Sequence, residues 1–207
     1  MDSTRLILAS ASPRRRELLA QIYPTFDVQA CPYDEPPLRA ADVPPRQWAE
    51  ALAYFKARSV GERHPDRWVL GADTIVVCDE QVLGKPRDLD DARAMLELQA
   101  RCVGEVLTGV CLLRTGSDVQ RHSQVAVTRV CMRDDVAARE VYLASGDWRG
   151  KAGAYGIQDI GDRLVERIEG SFSNVVGLPL ELLARMLRHV GLPVQGVTAA
   201  GPIAERP

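Results

Sequence analysis

Leu6-Ile7-Leu8-Ala9-Ser10-Ala11-Ser12-Pro13-Arg14-Arg15 is the stretch from which the fold can be read. Leu6–Ala9 is an apolar run that predicts a buried strand. Ser12 supplies an N-cap hydroxyl, and Pro13 has the fixed φ that suits a first helical position. A helix therefore starts at residue 13, with Leu18, Leu19 and Ile22 on its apolar side. Arg14 and Arg15 fall in its first turn, where the helix dipole disfavours cations by roughly 0.3–1 kcal/mol each. Free backbone N–H groups and two guanidiniums at one helix start make an anion site, with phosphate the best match. A solvated basic turn is the plainer reading of the same residues.

Working outward, strand-like stretches recur at Leu6–Ala9, Phe26–Ala30, Trp68–Cys78, Gln81–Gly84, Glu105–Leu113, Gln124–Met132 and Arg163–Ile168. Helical stretches fall at 13–22, 46–61, 88–99, 135–145 and 179–190. In the second helix Trp48, Leu52 and Phe55 recur at i, i+4 and i+7, and in the last Leu182, Leu183, Met186, Leu187 and Val190 form one stripe. Asp88 reads as the N-cap of the third helix, with Asp90 and Asp91 in its first turn. Strands alternating with helices predict a mixed α/β sheet. The chain of 207 residues, 46% hydrophobic, suits one large domain or two tightly joined lobes. Residues 1–190 are expected to be that domain, and the Gly/Pro/Ala-rich 191–207 a flexible tail.

A net charge of −2 gives no bulk attraction to nucleic acid or to a membrane surface. No apolar run approaches a membrane span of about 20 residues, and the N-terminus does not read as a signal peptide. Five cysteines, an odd number without CxxC spacing, fit a reducing cytoplasm better than a disulfide or zinc framework. Cys78 and Cys111 read as core residues. The three histidines are far apart in the sequence and read as surface residues, so no histidine metal site or Ser/His/Asp triad is expected.

Asp73 lies within Gly71-Ala72-Asp73-Thr74, with apolar residues on either side. An ionised carboxylate in a buried strand is costly unless it meets a metal, a cation or hydrogen-bond donors. That points to a site, with a salt-bridged structural acid as the alternative. Asp34-Glu35, at the exit of the second strand, could offer oxygen ligands to Mg²⁺ or Mn²⁺. Lys85, stiffened by Pro86, would meet phosphate or water. Lys151–Gln158 combines small residues, which let a ligand approach the backbone, with an amide able to read a base edge. Cations for phosphates, acids for a metal and an amide for a base together describe a nucleotide site.

LASASPRR (8–15), the Asp34-Glu35 pair, LAYFKA (52–57), GADT (71–74), GKPRD (84–88), LTG (107–109), KAGAYGIQ (151–158) and SFSNVVGLPL (171–180) resemble, in order, the Maf family of nucleoside triphosphate pyrophosphatases. GADT and KAGAYGIQ are similar to its dTTP/UTP branch. The resemblance implies cleavage between the α- and β-phosphates with a divalent cation, Mg²⁺ or Mn²⁺. It also implies a curved mixed sheet with two lobes and a central cleft, like inosine triphosphate pyrophosphatases, a cytoplasmic location and often a homodimer. Carried across, Asp73 is the general base, with Lys85 and Glu35 also catalytic and Glu35 and Asp73 the metal ligands. Arg14, Thr74 and Gln158 match selectivity positions, and Ser10, Arg15 and Lys56 other polar site residues. From the residues alone, Lys56 reads as a solvated helix position. Relatives usually carry S-G-x-T-H before the T-G pair, where this chain has Ala100-Arg101-Cys102-Val103-Gly104. The rival reading is a nucleotide-sensing regulator of cell division without turnover. Asp73→Asn is expected to end turnover and leave stability unchanged or higher.

Overall fold

The computed structural model describes residues 5–33 and 43–196. Its strands are β1 (Leu6–Leu8), β2 (Phe26–Val28), β3 (Trp68–Cys78), β4 (Gln81–Leu83), β5 (Val103–Arg114), β6 (Gln120–Met132) and β7 (Val165–Glu169). Its helices are α1 (Pro13–Ile22), α2 (Pro45–Gly61), α3 (Leu89–Gln99), α4 (Val136–Ser145), α5 (Phe172–Val176) and α6 (Leu180–His189). The strands form one seven-stranded mixed sheet in the order β2-β1-β3-β5-β6-β7, with β4 paired to β3. β1 runs parallel to β2 and β3, whereas β4 is antiparallel to β3 and β7 to β6. The α/β expectation holds, and the caps read from the sequence form. Ser12 Oγ accepts from the Arg15 N–H at 3.4 Å, and Asp88 Oδ1 from the Asp91 N–H at 2.8 Å.

The chain divides into two compact units. The first contains the described residues up to Asp73, then Thr108–Ala126, then those from Gly177 onward. The second contains Thr74–Leu107 and Val127–Val176.

In the first unit, α2 lies almost in contact with the backbone of β3 and β5. A Cβ on Gly71 would overlap the Ala53 carbonyl oxygen and crowd the Ala57 N–H, and one on Gly109 would overlap the Ala49 carbonyl oxygen. The helix meets these glycines with small residues, so its buried stripe is Ala49, Leu52, Ala53, Lys56, Ala57 and Val60. This corrects the stripe read from the sequence. Trp48 and Phe55 are only half-buried, because close backbone approach selects alanine on the contacting face and moves bulk to its flanks. Ile7, Ala9, Val69, Cys111 and Leu113 complete this part of the core. The segment after α6 is bonded back to α1: the Gln195 N–H donates to the Ile22 carbonyl at 2.9 Å. Residues 197–207, the remainder of the expected tail, lie outside the described residues.

In the second unit α3 faces α4, and Arg93 grips Glu140 through Nε and Nη2 at 3.0 and 2.7 Å. That guanidinium holds the Glu140 carboxyl below its usual range. Asn174, fully buried on α5, donates to the Val106 carbonyl and to Thr128 Oγ1 at 3.0 and 2.9 Å. Much of the SFSNVVGLPL stretch therefore sews α5 to β5 and β6.

The cysteines depart from expectation. Cys78 and Cys111 are buried as read, and burial pushes the Cys111 thiol up. Cys78, however, is joined to Cys102 by a disulfide, with Cα atoms 6.5 Å apart. The odd count misled because the remaining three, Cys31, Cys111 and Cys131, are free, and because β3 ends beside the loop entering β5. None of the three histidines is buried, as read: His189 is exposed, and His64 and His122 are half-buried. His122 and His189 are in edge-on ring contact, centroids 5.1 Å apart, although 67 residues separate them.

Gly71→Ala tests the close approach. The extra methyl has no room beside α2, and overpacking of this kind costs about 1–3 kcal/mol. Thermal denaturation should show Tm lowered by roughly 2–12 °C, whereas Gly84→Ala, with open space at its Cβ, should leave it unchanged.

Candidate active site

The site residues of the first unit gather where β1 and β3 run parallel. The Ala9 N–H donates to the Leu70 carbonyl at 2.8 Å, so the chain leaves β1 at Ser10 alongside Gly71–Asp73. Ligands in α/β sheets commonly bind at such carboxyl ends of parallel strands. Ser10 is buried, and its Oγ accepts from the Ser12 N–H at 3.2 Å, which fixes the turn into α1. Arg14 and Arg15 stand half-buried in the first turn of α1. Arg15 Nε donates to the Gly177 carbonyl at 2.9 Å, so that guanidinium is anchored on the loop before α6.

Asp73 is 5% exposed and Lys56 8%, and the Lys56 ammonium donates to Asp73 Oδ1. The pair answers the question that the apolar strand posed, since the buried acid is met by a buried cation from α2. It also corrects the residue-based reading of Lys56 as solvated. The sequence carried only part of the signal. Position 56 continues the 49, 52, 53, 57, 60 stripe, but a lysine at a stripe position is ordinarily assigned to water. Ser59 Oγ donates to the Lys56 carbonyl at 2.9 Å, adding a side-chain bond within the helix.

The second unit carries the other group. Thr74 is half-buried on β3, next in the chain to Asp73. Lys85 is exposed just after β4. Gly84 beside it accepts, through its carbonyl, the Gly153 N–H at 3.0 Å, which ties the Lys85 turn to the 151–158 segment. That segment opens with a 3-10 turn, Ala152–Ala154, and ends with Gln158 exposed. The Gly156 N–H donates to the Tyr142 hydroxyl at 3.1 Å, and burial pushes the Tyr155 phenol above its usual range. At the departure from the family pattern, Gly104 lies inside β5. A Cβ there would make only ordinary contacts with the Val130 and Val77 carbonyls. Glu35 and Asp34, the remaining predicted residues, lie outside the described residues.

In the first unit, a half-buried basic helix start and a buried acid–lysine pair suit a hydrolase acting on a phosphorylated small molecule. The chain belongs to the Maf-like protein family, whose pattern matches residues 5–190. It is 43% identical over 187 residues to the dTTP/UTP pyrophosphatase of Koribacter versatilis, covering 90% of this chain and 95% of that one. It is 46% identical over 197 residues to the dTTP/UTP pyrophosphatase of Myxococcus xanthus, with coverages of 93% and 96%. A solved nucleoside-triphosphatase, named dITP/XTP pyrophosphatase, from Mycobacterium abscessus overlaps 62% of this chain and 74% of its own at 14% identity, with a TM-score of 0.41.

The ion pair changes the stability expectation for Asp73→Asn. Removing one charge strands a buried ammonium, a loss of about 3–5 kcal/mol when nothing compensates. The Asn oxygen still accepts, so the low end, about 3 kcal/mol, is expected. Denaturant melts should show Asp73→Asn less stable than wild type, and Lys56→Met/Asp73→Asn recovering most of the difference. Equal stability of Asp73→Asn and wild type would show that the pair contributes nothing.

Proposed function

We propose that this protein hydrolyses nucleoside triphosphates, dTTP and UTP in preference, to the monophosphate and pyrophosphate. The observation that carries the reading is the buried Lys56–Asp73 pair, on a chain whose relatives are named dTTP/UTP pyrophosphatase. Those names, and a buried acid that a mere sensor has no need of, favour turnover over a regulator that only binds nucleotide.

In the proposed reaction Asp73 accepts the proton of a water as its oxygen bonds to the α-phosphorus. The bond from that phosphorus to the bridging oxygen breaks, and pyrophosphate leaves with the electron pair. Lys56 holds the Asp73 carboxylate in position. Arg14, Arg15 and Lys85 offset the negative charge that develops on the phosphate oxygens. Ser10 fixes the turn that carries the arginines. Gln158 both donates and accepts, which complements the O4 and N3–H edge of uracil or thymine. Thr74 assists selectivity beside Asp73.

A divalent cation fits the donor chemistry. Mg²⁺ takes one or two carboxylates and completes its shell with phosphate and water oxygens. Asp73 is a buried carboxylate of that kind, while no cluster of three or more His, Cys, Asp or Glu forms a ready cage among the described residues. Asp73, with Glu35 from outside the described residues, would hold Mg²⁺ or Mn²⁺, whose contribution is to polarise phosphoryl oxygens. No helix among the described residues is long and apolar enough to cross a membrane.

UTP turnover resolved by ion exchange should yield UMP and pyrophosphate from the first time point; UDP as first product would refute the proposed cleavage. EDTA should stop the reaction, and added Mg²⁺ or Mn²⁺ restore it, while unchanged rates in verified metal-free buffer would remove the cation from the scheme. Gln158→Ala should lower kcat/KM for UTP by about 5- to 150-fold, the cost of a lost paired contact. Turnover of GTP should change far less. Equal losses for the two substrates would mean that Gln158 does not read the base.

A further inference from the structure

Gln99 closes α3 and is 2% exposed, yet neither its motif context nor the reaction gives its amide a role. Nε2 donates to the Met95 carbonyl one turn back at 3.0 Å. It also reaches across 54 residues to the Gly153 carbonyl at 2.7 Å. Gly153 is gripped from its other side too, since its N–H donates to the Gly84 carbonyl at 3.0 Å. The peptide groups around Gly153 thus join three pieces of chain: the end of α3, the turn that leads into Lys85, and the segment that leads to Gln158.

That grip holds an unfavourable backbone. Gly153 has φ +67° and Ala154 φ +60°, so two consecutive residues are left-handed, the second of them with a Cβ. Conformations of this kind persist where the surroundings over-determine them. Val76 of β3 packs beneath Gly153, 3.0–3.1 Å from where its Cβ would lie, so the turn cannot sink toward the sheet. A buried amide also carries a desolvation cost that an apolar side chain of similar size lacks, and the bond to Gly153 offsets it. Four residues beyond Ala154, Gln158 stands exposed.

We infer that Gln99 is a specificity-positioning residue: its buried amide fixes the left-handed turn at Gly153–Ala154 and so sets where Gln158 meets the pyrimidine base. The inference rests on the functional reading above and names a residue that acts through the loop, without touching substrate.

The test compares kcat and KM for UTP and GTP in wild type, Gln99→Met, Gln99→Glu, Gln158→Ala and the double variant Gln99→Met/Gln158→Ala. Gln99→Met keeps the volume and removes the donor. It should raise KM for UTP about tenfold to a hundredfold, the scale of a displacement near 1 Å. The kcat for UTP and the GTP parameters should stay within about threefold. Adding Gln158→Ala should cost little more, because the displaced amide no longer reads the base. In Gln99→Glu the carboxyl can donate to the Gly153 carbonyl only while protonated. The UTP-to-GTP ratio should therefore fall as pH rises, while that of wild type stays level. A purely structural role would instead lower kcat for both nucleotides by one common factor with KM unchanged, and that outcome overturns the inference. Multiplying losses in the double variant, or a Gln99→Glu ratio that matches wild type at every pH, also overturn it. Failure of both Gln99 variants to fold would assign the amide to stability and reject it as well. Wild-type activity with an unmoved ratio defeats this inference alone; wild type inert toward UTP defeats the functional reading, and this inference with it.

Discussion

The close seating of α2 on two glycines is the constraint from which the rest of the first unit follows. Helices ordinarily keep a side-chain layer between themselves and a sheet. Gly71 and Gly109 remove that layer at two points, and Ala49, Ala53 and Ala57 remove it from the helix side. One charged side chain is also buried on this face of the helix, against a partner of its own. Lys56 is that case: its stem occupies the stripe and its ammonium ends on Asp73.

A buried ion pair is rarely a source of net stability, because desolvating two charges consumes most of their attraction. Two well-packed apolar residues would serve the core as well or better. On the proposed function, the Lys56–Asp73 pair is explained by reactivity and not by folding. A carboxylate buried in β3 and held by a buried cation is fixed in position before any substrate arrives. Fixed charges of this kind favour catalysis because they need no reorganisation during the reaction.

The sequence made most of the architecture legible. β3 and α1 were readable to the residue, since each has a sharp boundary: a run apolar apart from Gly71, Asp73 and Thr74 in one case, a Ser-Pro cap in the other. β6 starts at the polar Gln120-Arg121-His122-Ser123, ahead of the alternation that begins at Gln124, and β5 starts at Val103-Gly104, ahead of the expected Glu105. Asp73 was legible because its surroundings made it costly. Lys56 was not legible from the residues alone, as the exception it represents, a lysine on a buried stripe, shows only once its partner is placed. The Cys78–Cys102 pairing was equally hidden: it depends on tertiary proximity between a strand end and a loop, and parity arguments cannot find it in a chain with spare thiols.

Those spare thiols have a practical consequence. Cys111 is sealed in the core, but Cys31 and Cys131 are half-exposed, one in each compact unit. The unmodified chain thus carries a natural pair of attachment points for maleimide dyes. Each dye would report the surroundings of its own unit as nucleotide is added, with no engineered cysteine.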